Sequence, residues 1–294
     1  MGATSTSAST PAELPRDPSR LAPLFFAAIA FAILFAKPAA LLASDWWNDP
    51  DAGHGLLLAP LAVWLGWRRG LVACRPHRVH GVLLLSGGVV LRYLSGLAAE
   101  LFTMRLSMVI AGLGLIVFYR GYRQVLAWWL PVTLVILSIP IPAVLTSSLA
   151  LPLQLTASHW GAALLHVRHV PVELSGNVIR LPGRDLFVTE ACSGLRSLTA
   201  LLSLGVLVGG LWLRHPASRM LLIALAIPVA MLVNAFRVFL TGFLVYWVDP
   251  KMGEGFMHLS EGWLLFVIAF VILGAFTWAV AGVERRVLGE PADG

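Results

Sequence analysis

The sequence has 294 residues, of which 58% are hydrophobic and only 12% are charged, and its mean hydropathy is +0.83. So few charges cannot cover a water-soluble globule of this length, so the composition predicts an integral membrane protein. The formal charge of +6 would also suit a nucleic-acid-binding protein. The basic residues lie in short loops between apolar runs, however, which is typical of membrane proteins and excludes nucleic acid as the expected partner.

Apolar runs of about twenty residues, the length of one membrane crossing, predict eight transmembrane helices. The predicted helices span residues 21–44, 55–67, 79–98, 102–119, 125–141, 192–213, 220–247 and 262–283. The N-terminal residues 1–20, rich in Ser, Thr, Ala and Pro, are predicted to be a disordered tail. Residues 21–284 then form a single transmembrane domain, and 285–294 form a short cytoplasmic tail.

The loops alternate in charge, and this alternation predicts the orientation of the chain. One set of loops carries the basic residues Arg68, Arg69, Arg75, Arg78, Arg120, Arg123, Arg214, Arg219, Arg285 and Arg286. The other set carries acidic residues such as Asp45, Asp49, Asp51, Glu100, Glu190, Asp249 and Glu254. The positive-inside rule places the basic loops and both termini in the cytoplasm and the acidic loops outside.

Two segments between the fifth and sixth helices are predicted to lie at the outer side. Residues 142–167 are apolar enough for a ninth crossing, but Pro152, Gln154 and His159 favour a helix in the outer interface. A ninth crossing would also move the later arginines outside. Residues 172–188 alternate between apolar and polar side chains around two turns, which predicts a small β-hairpin or meander. The predicted fold class is therefore an all-α polytopic bundle of about eight transmembrane helices with a small extracytoplasmic β-hairpin and an interfacial helix.

The segment TEACSGLRS, residues 189–197, places Cys192 where the strand-like region meets a long apolar helix. The other cysteine, Cys74, lies on the opposite side of the membrane in the predicted topology, so Cys192 is expected to be a free thiol. A helix N-terminus and Arg196, four residues later, would both favour its thiolate, which predicts a nucleophile. The alternative is a small buried cysteine that only packs.

Two further groups are predicted on the same side of the membrane as Cys192. Asn234 and Arg237 are three residues apart and share one face of the seventh helix. An arginine within the membrane costs about 2.5–3.5 kcal/mol on insertion scales, so a function is expected for it; the alternative is a cation that bonds backbone carbonyls to hold helices together. His258, in the loop before the eighth helix, can act as a general acid and base. The alternative interpretation is that His258 is a solvent-exposed loop histidine.

These motifs resemble the exosortase and archaeosortase family of membrane-embedded cysteine transpeptidases. The residues that carry the resemblance are GNVIRLPG before EACSGLRS, then NAFRV, and then the histidine of GEGFMH. The segment AGHGLLLAP is similar to the Ser-His-Gly segment usual in the family, although Ala52 and Gly53 replace the more familiar aromatic residue and serine. The resemblance extends from about residue 46 to residue 263.

The resemblance implies a cysteine peptidase or transpeptidase in the bacterial inner membrane, with its active site facing the periplasm and no metal or organic cofactor. Its partners would be membrane lipid and exported proteins with a C-terminal sorting signal of the PEP-CTERM kind, namely a short motif, a transmembrane helix and a basic tail. Such enzymes commonly accompany exopolysaccharide systems. The implied catalytic residues are Cys192 as nucleophile, Arg237 for the oxyanion or thiolate, and His258 for the proton. The supporting residues are Arg196, Asn234, His54 and Glu190.

Two other interpretations are open at this stage. A polytopic carrier or a protein that handles lipid-linked glycans would use Arg237 to bind an anionic group, and would retain activity in Cys192→Ser. A metal enzyme is the second, because His159, His166 and His169 fall near one helical face. No HExxH pattern or paired carboxylate supports the metal enzyme.

Overall fold

The computed structural model describes residues 18–188, 194–249, 251 and 255–288. Within these residues the chain forms ten α-helices and three β-strands. The helices are α1 (Pro18–Asn48), α2 (Gly55–Arg69), α3 (Arg78–Leu97), α4 (Leu101–Tyr119), α5 (Tyr122–Ala127), α6 (Trp129–Leu137), α7 (Ala143–Val167), α8 (Leu195–Trp212), α9 (Pro216–Trp247) and α10 (Gly255–Leu288). The strands are β1 (Glu173–Ser175), β2 (Val178–Leu181) and β3 (Arg184–Phe187), between α7 and α8.

Six of the described helices contain a stretch long and apolar enough to cross a membrane, which confirms a polytopic helical membrane protein. These stretches are Phe25–Asn48, Arg78–Leu97, Leu101–Tyr119, Leu195–Trp212, Pro216–Trp247 and Leu264–Val287. The helix predicted at 55–67 is present as α2, with 15 residues, and the helix predicted at 125–141 is present as the two short helices α5 and α6; none of the three is among the six. α7 has 25 residues but is not among the six. Its location in the outer interface stays a prediction.

The helix predicted at 125–141 is divided at Trp128 into α5 and α6. Pro131 has no backbone N–H, so it cannot donate to the carbonyl of Ala127 as a helical residue would. Arg69 Nη1 donates to that carbonyl instead, at 3.0 Å. The break is therefore stabilised by a side chain from the basic end of α2.

The chain divides into two compact units. The first comprises residues up to 44 together with 66–129, and its centre is the antiparallel hairpin of α3 and α4. Small residues let these two helices approach closely, since a Cβ at Gly88 would lie 2.7 Å from the backbone nitrogen of Ala111. At one end of the hairpin Glu100 caps α4 by accepting hydrogen bonds from the backbone N–H groups of Phe102 and Thr103.

The second unit comprises residues 45–65 together with those from 130 onward. Its three strands form an antiparallel meander in the order β1-β2-β3, with Glu173 opposite Arg180 and Val178 opposite Phe187. The predicted hairpin or meander is thus confirmed as a meander. One core joins the meander to α7 and α9 through Leu165, Val170, Ile179, Val238 and Val245. A second core joins α8, α9 and α10 through Leu201, Leu222, Ala226, Ala269 and Leu273.

Candidate active site

The first residue before α8, Gly194, lies directly against Asn234 of α9. Gly194 has φ +79°, and a Cβ at this position would lie 2.6 Å from Asn234 Cγ. Only glycine satisfies both the left-handed backbone and the close approach. Gly194 therefore packs the start of α8 directly against Asn234 of α9.

The other end of the preceding segment is also anchored. Val188, which follows β3, donates its N–H to the Asn177 carbonyl at 3.0 Å. Asn177 Nδ2 returns a hydrogen bond to the Val188 carbonyl, also at 3.0 Å. Residues 189–193, with Glu190 and Cys192, lie outside the described residues. This segment of five residues joins Val188 to Gly194.

A cavity of about 410 Å³ opens beside Gly194 in the second unit. Its lining comes from the α1–α2 loop, α8, α9 and α10: Pro50, Gly53, His54, Gly194, Arg196, Ser197, Ala200, Val233, Asn234, Arg237, Leu265, Phe266 and Ala269. The structure thus brings together four of the seven residues that the sequence analysis selected for the site. One wall is apolar, from α10, and the polar groups come from the other three segments.

Arg237 and Asn234 line this cavity from the same face of α9. Asn234 is buried, and Arg237 is half-buried. α9 continues unbroken to Trp247, so ten residues at 1.5 Å place Arg237 about 15 Å from that end of the helix. This position lies within the membrane-crossing stretch of α9, where an arginine is costly to place.

The loop between α1 and α2 is fixed against the end of α6. Trp46 Nε1 donates to the Ser138 carbonyl at 2.7 Å, and His54 Nε2 lies 3.2 Å from the Leu137 carbonyl. A carbonyl oxygen can only accept, so the proton of neutral His54 is on Nε2 and its Nδ1 is an acceptor. Gly55 packs on the Trp46 indole, with no room for a Cβ. The GHG segment therefore presents an imidazole of defined tautomer to the cavity.

Arg196 forms an ion pair that the sequence analysis did not find. Its Nε lies 2.6 Å from Asp51 Oδ1, and the two side chains are 46% and 67% exposed. The pair links the α1–α2 loop to the first turn of α8. From the sequence, Arg196 is expected to favour the Cys192 thiolate, and Asp51 is only one of the acidic loop residues. No local spacing signals this contact, because the partners are 145 residues apart.

The structure also changes the setting of His258. Sequence analysis placed this residue in a loop, whereas α10 begins at Gly255 and already contains position 258 in its first turn. The structure describes the backbone there. Position 258 is seven residues, or about two turns, before Leu265, and helical periodicity puts both positions on one face of α10. Leu265 lines the cavity.

Among the described residues, no three His, Cys, Asp or Glu side chains are grouped so that they would hold a metal ion. His159, His166 and His169 belong to this part of the chain. The zinc interpretation of these three histidines is therefore not supported.

Comparisons with known proteins bear on the same stretch of chain. A family model described as transmembrane exosortase (EpsH) matches residues 46–275. Comparison with curated proteins and with solved structures gave no match. The matched range includes all the residues that line the cavity, together with Cys192 and His258.

Proposed function

The chain belongs to the transmembrane exosortase family, and on that premise we propose that it cleaves the C-terminal sorting signal of exported proteins through a thioacyl intermediate. Exosortases are membrane transpeptidases that use a cysteine, and the family is associated with PEP-CTERM sorting and exopolysaccharide loci. The enzyme class and the multi-pass membrane location follow from the family. The residue roles, the substrate and the orientation are the substance of the proposal.

One observation supports the proposal most strongly: Gly194 packs on Asn234 at the wall of a cavity that also contains Arg237. Cys192 precedes Gly194 by two residues, and two residues of chain span at most about 7 Å. We therefore propose that the Cys192 thiol acts at this cavity together with Arg237, which lines it from α9. A thiol, a guanidinium and an apolar wall are the components that acyl transfer from a membrane-anchored peptide requires.

In the proposed reaction the Cys192 thiolate attacks the carbonyl carbon of the scissile peptide bond. A C–S bond forms and the carbonyl electrons move to oxygen, where the guanidinium of Arg237 stabilises the oxyanion. The C–N bond then breaks, and the departing amine takes a proton from an imidazolium. An acceptor nucleophile then gives its proton to the imidazole and forms a bond to the thioester carbon, the C–S bond breaks, and the thiolate and the imidazolium are both restored.

We propose His258 as the imidazole that carries the proton, because its position extends the cavity face of α10 toward the start of that helix. His54 supplies a second imidazole, whose Nδ1 can accept a proton while Nε2–H keeps its hydrogen bond to Leu137. Arg196 has a different role from the one that its spacing from Cys192 suggested. Asp51 compensates its charge, so Arg237 is the cation that acts on the reacting atoms, and Arg196 positions the α1–α2 loop.

The proposed substrate is a transmembrane segment with a short motif at its outer end. The apolar wall of Leu265, Phe266 and Ala269 from α10, together with Val233 of α9, suits the helix of a sorting signal, and the polar wall suits its peptide bonds. The basic loops lie at the ends of the transmembrane helices away from the cavity, and the positive-inside rule predicts that those ends are cytoplasmic. The active site is then periplasmic and both termini are cytoplasmic.

Co-expression with a reporter protein that ends in a motif, a transmembrane helix and a basic tail tests this function. Wild-type enzyme should release the C-terminal peptide, which intact-mass measurement detects as a loss of mass. Cys192→Ser should abolish that mass change while the protein accumulates normally. Processing that persists in Cys192→Ser would contradict covalent catalysis and favour the carrier interpretation.

A further inference from the structure

We propose that a second site, separate from the candidate active site and independent of the proposed function, binds the phosphate group of an anionic lipid. We call it the basic cup: a cavity of about 590 Å³ lined by Ala73, Cys74, Arg75, His77 and Arg123. It lies entirely in the first unit, where the α2–α3 loop meets the turn between α4 and α5.

The α2–α3 loop that forms the cup has no regular secondary structure. Its first half is fixed by hydrogen bonds to two side chains, Gln124 of α5 and Trp128, which follows α5. Gln124, which is fully buried, accepts from the Val72 N–H at 2.8 Å and donates to the Gly70 carbonyl at 3.3 Å. Trp128 Nε1 also donates to the Gly70 carbonyl, at 3.0 Å. These hydrogen bonds fix the path of the backbone toward Cys74 and Arg75.

The second half of the loop is held by the end of α4. The Cys74 thiol donates to the Arg120 carbonyl, and the His77 N–H donates to the Val117 carbonyl at 3.1 Å. Gly121 has φ +86°, and a Cβ there would overlap the Arg75 carbonyl oxygen. The backbone of Arg75 therefore lies against the turn that leads to Arg123, and both arginines face one cavity.

Acidic residues are scarce in the sequence around the cup. Six arginines lie in or beside the α2–α3 loop and the α4–α5 turn, namely Arg68, Arg69, Arg75, Arg78, Arg120 and Arg123, while Glu100 is the only acidic residue between positions 66 and 129. Glu100 caps α4 at the opposite end of the α3–α4 hairpin. Within the described chain, neither Arg75 nor Arg123 has a side-chain hydrogen bond or an ion pair. A phosphate group offers the oxygens that two guanidinium groups bind best.

The cup lies where a lipid headgroup is expected. The loop ends at Arg78, where the membrane-crossing stretch of α3 begins, and the turn follows Tyr119, where that of α4 ends. Tyr122 contacts His77 and His80 with ring centroids 5.2 and 5.7 Å away, and such polar aromatic groups favour the membrane interface. Orientation alone requires only positive charge. A loop that served only to orient the chain would not need a buried glutamine that hydrogen-bonds its backbone at two points.

Lipid binding by the purified protein in detergent, without any sorting substrate, tests the proposal. Native mass spectrometry should show retained phosphatidylglycerol and far weaker retention of phosphatidylcholine. Inorganic phosphate added as a competitor shows whether the site binds a lipid headgroup or free phosphate. If phosphate does not displace the lipid, the site binds the headgroup. If phosphate displaces the lipid at millimolar concentration, the site binds phosphate as such. Equal retention of the two lipids, with no binding of phosphate, would overturn the proposal.

Two double variants separate a site from bulk charge, because each removes two positive charges. Arg75→Gln/Arg123→Gln should weaken phosphatidylglycerol binding by about 25-fold, roughly fivefold for each arginine. The matched control Arg285→Gln/Arg286→Gln, altered at the end of α10, should remain within about twofold of wild type. Equal weakening in both variants would contradict the cup.

A third variant keeps every charge and releases the loop. Gln124→Leu removes the two hydrogen bonds to Gly70 and Val72. It should weaken phosphatidylglycerol binding to about the same extent as Arg75→Gln/Arg123→Gln. Thermal unfolding establishes that this variant is folded. Unchanged lipid affinity in folded Gln124→Leu would contradict the proposal, and if this variant does not fold, the comparison of the two double variants decides.

Discussion

Gly194 and Asn234 are packed so closely that a single methyl group at position 194 would lie 2.6 Å from the Asn234 side chain. Gly194→Ala should therefore shift the start of α8, and should also strain a left-handed backbone at about 1–2 kcal/mol. We expect at least a tenfold loss of processing rate with a small fall in melting temperature. Gly183→Ala is the matched control, because Gly183 also has a left-handed backbone, with φ +80°, and nothing lies within 4 Å of a Cβ there. Equal activity in both variants would contradict the contact.

The ion pair of Asp51 and Arg196 predicts an effect on the thiol with a definite sign. In a Cys74→Ala background, where Cys192 is the one remaining cysteine, Asp51→Asn leaves the Arg196 charge uncompensated. The pKa of the Cys192 thiol should fall, and alkylation by iodoacetamide at pH 7 should become faster. Arg196→Gln leaves the Asp51 carboxylate uncompensated and should slow alkylation, whereas Asp51→Asn/Arg196→Gln should return the rate to near that of the Cys74→Ala parent. A double variant much slower than that parent would instead show that Arg196 acts directly on the thiolate.

Arg237 should contribute mainly to the transition state. Arg237→Gln is expected to lower kcat by about 10²–10³ with little change in KM, because an oxyanion forms only after attack. Arg237→Lys should recover part of the loss, since it restores the charge but not the planar fork. Rates come from single-turnover processing of a reporter in detergent. A change confined to KM would indicate that Arg237 only binds the substrate.

The two imidazoles can be distinguished by variants that retain hydrogen-bonding groups but do not titrate. His54→Gln should preserve donation to the Leu137 carbonyl, and we expect about a tenfold loss of activity with an unchanged melting temperature. His258→Gln should lower the rate by about 10²–10⁴ and remove its dependence on the protonation of an imidazole. If His54→Gln removed that pH dependence instead, the assignment of the proton carrier would be reversed.

Glu100 predicts a pH dependence of stability that is separate from catalysis. A hydrogen bond from the Thr103 side chain, with those from the backbone N–H groups of Thr103 and Phe102, lowers the pKa of the Glu100 carboxyl from its ordinary 4.5. Its capping effect, about 1 kcal/mol, is therefore complete above that value and is lost as the pH falls below it. Glu100→Ala should lower the melting temperature at pH 7. The difference from wild type should shrink on acidification, and a constant difference would contradict this cause.

Much of the fold could be predicted because apolar run length and turn chemistry are local properties. The spans of α3, α4, α8 and α9, and the turn at Gly176 and Asn177, follow from neighbouring residues alone. The break at Trp128 and the early start of α10 at Gly255 were not predicted. Pro131 signals the break, but α10 extends into a polar segment, where apolar run length is a poor guide to a helix end.

In the candidate site, too, relationships between near neighbours in sequence could be predicted, whereas contacts between distant residues could not. Asn234 and Arg237 share a face by their spacing, so their common cavity could be anticipated from sequence. The partner of Arg196 could not, because Asp51 is 145 residues away and only tertiary packing brings the α1–α2 loop to α8. The tautomer of His54 likewise depends on Leu137, which lies 83 residues further along the chain.

The two-way hydrogen bonding between Asn177 and Val188 has a consequence for how this enzyme could diversify. With Val188 and Gly194 both held, an insertion or deletion in residues 189–193 would displace the proposed nucleophile Cys192 relative to the cavity that Arg237 lines. Changes in substrate preference would then have to arise elsewhere. The side chains at positions 265, 266 and 269 of α10 can vary in size without altering the length of that segment. Directed evolution of new cleavage specificities should accordingly begin on that helix.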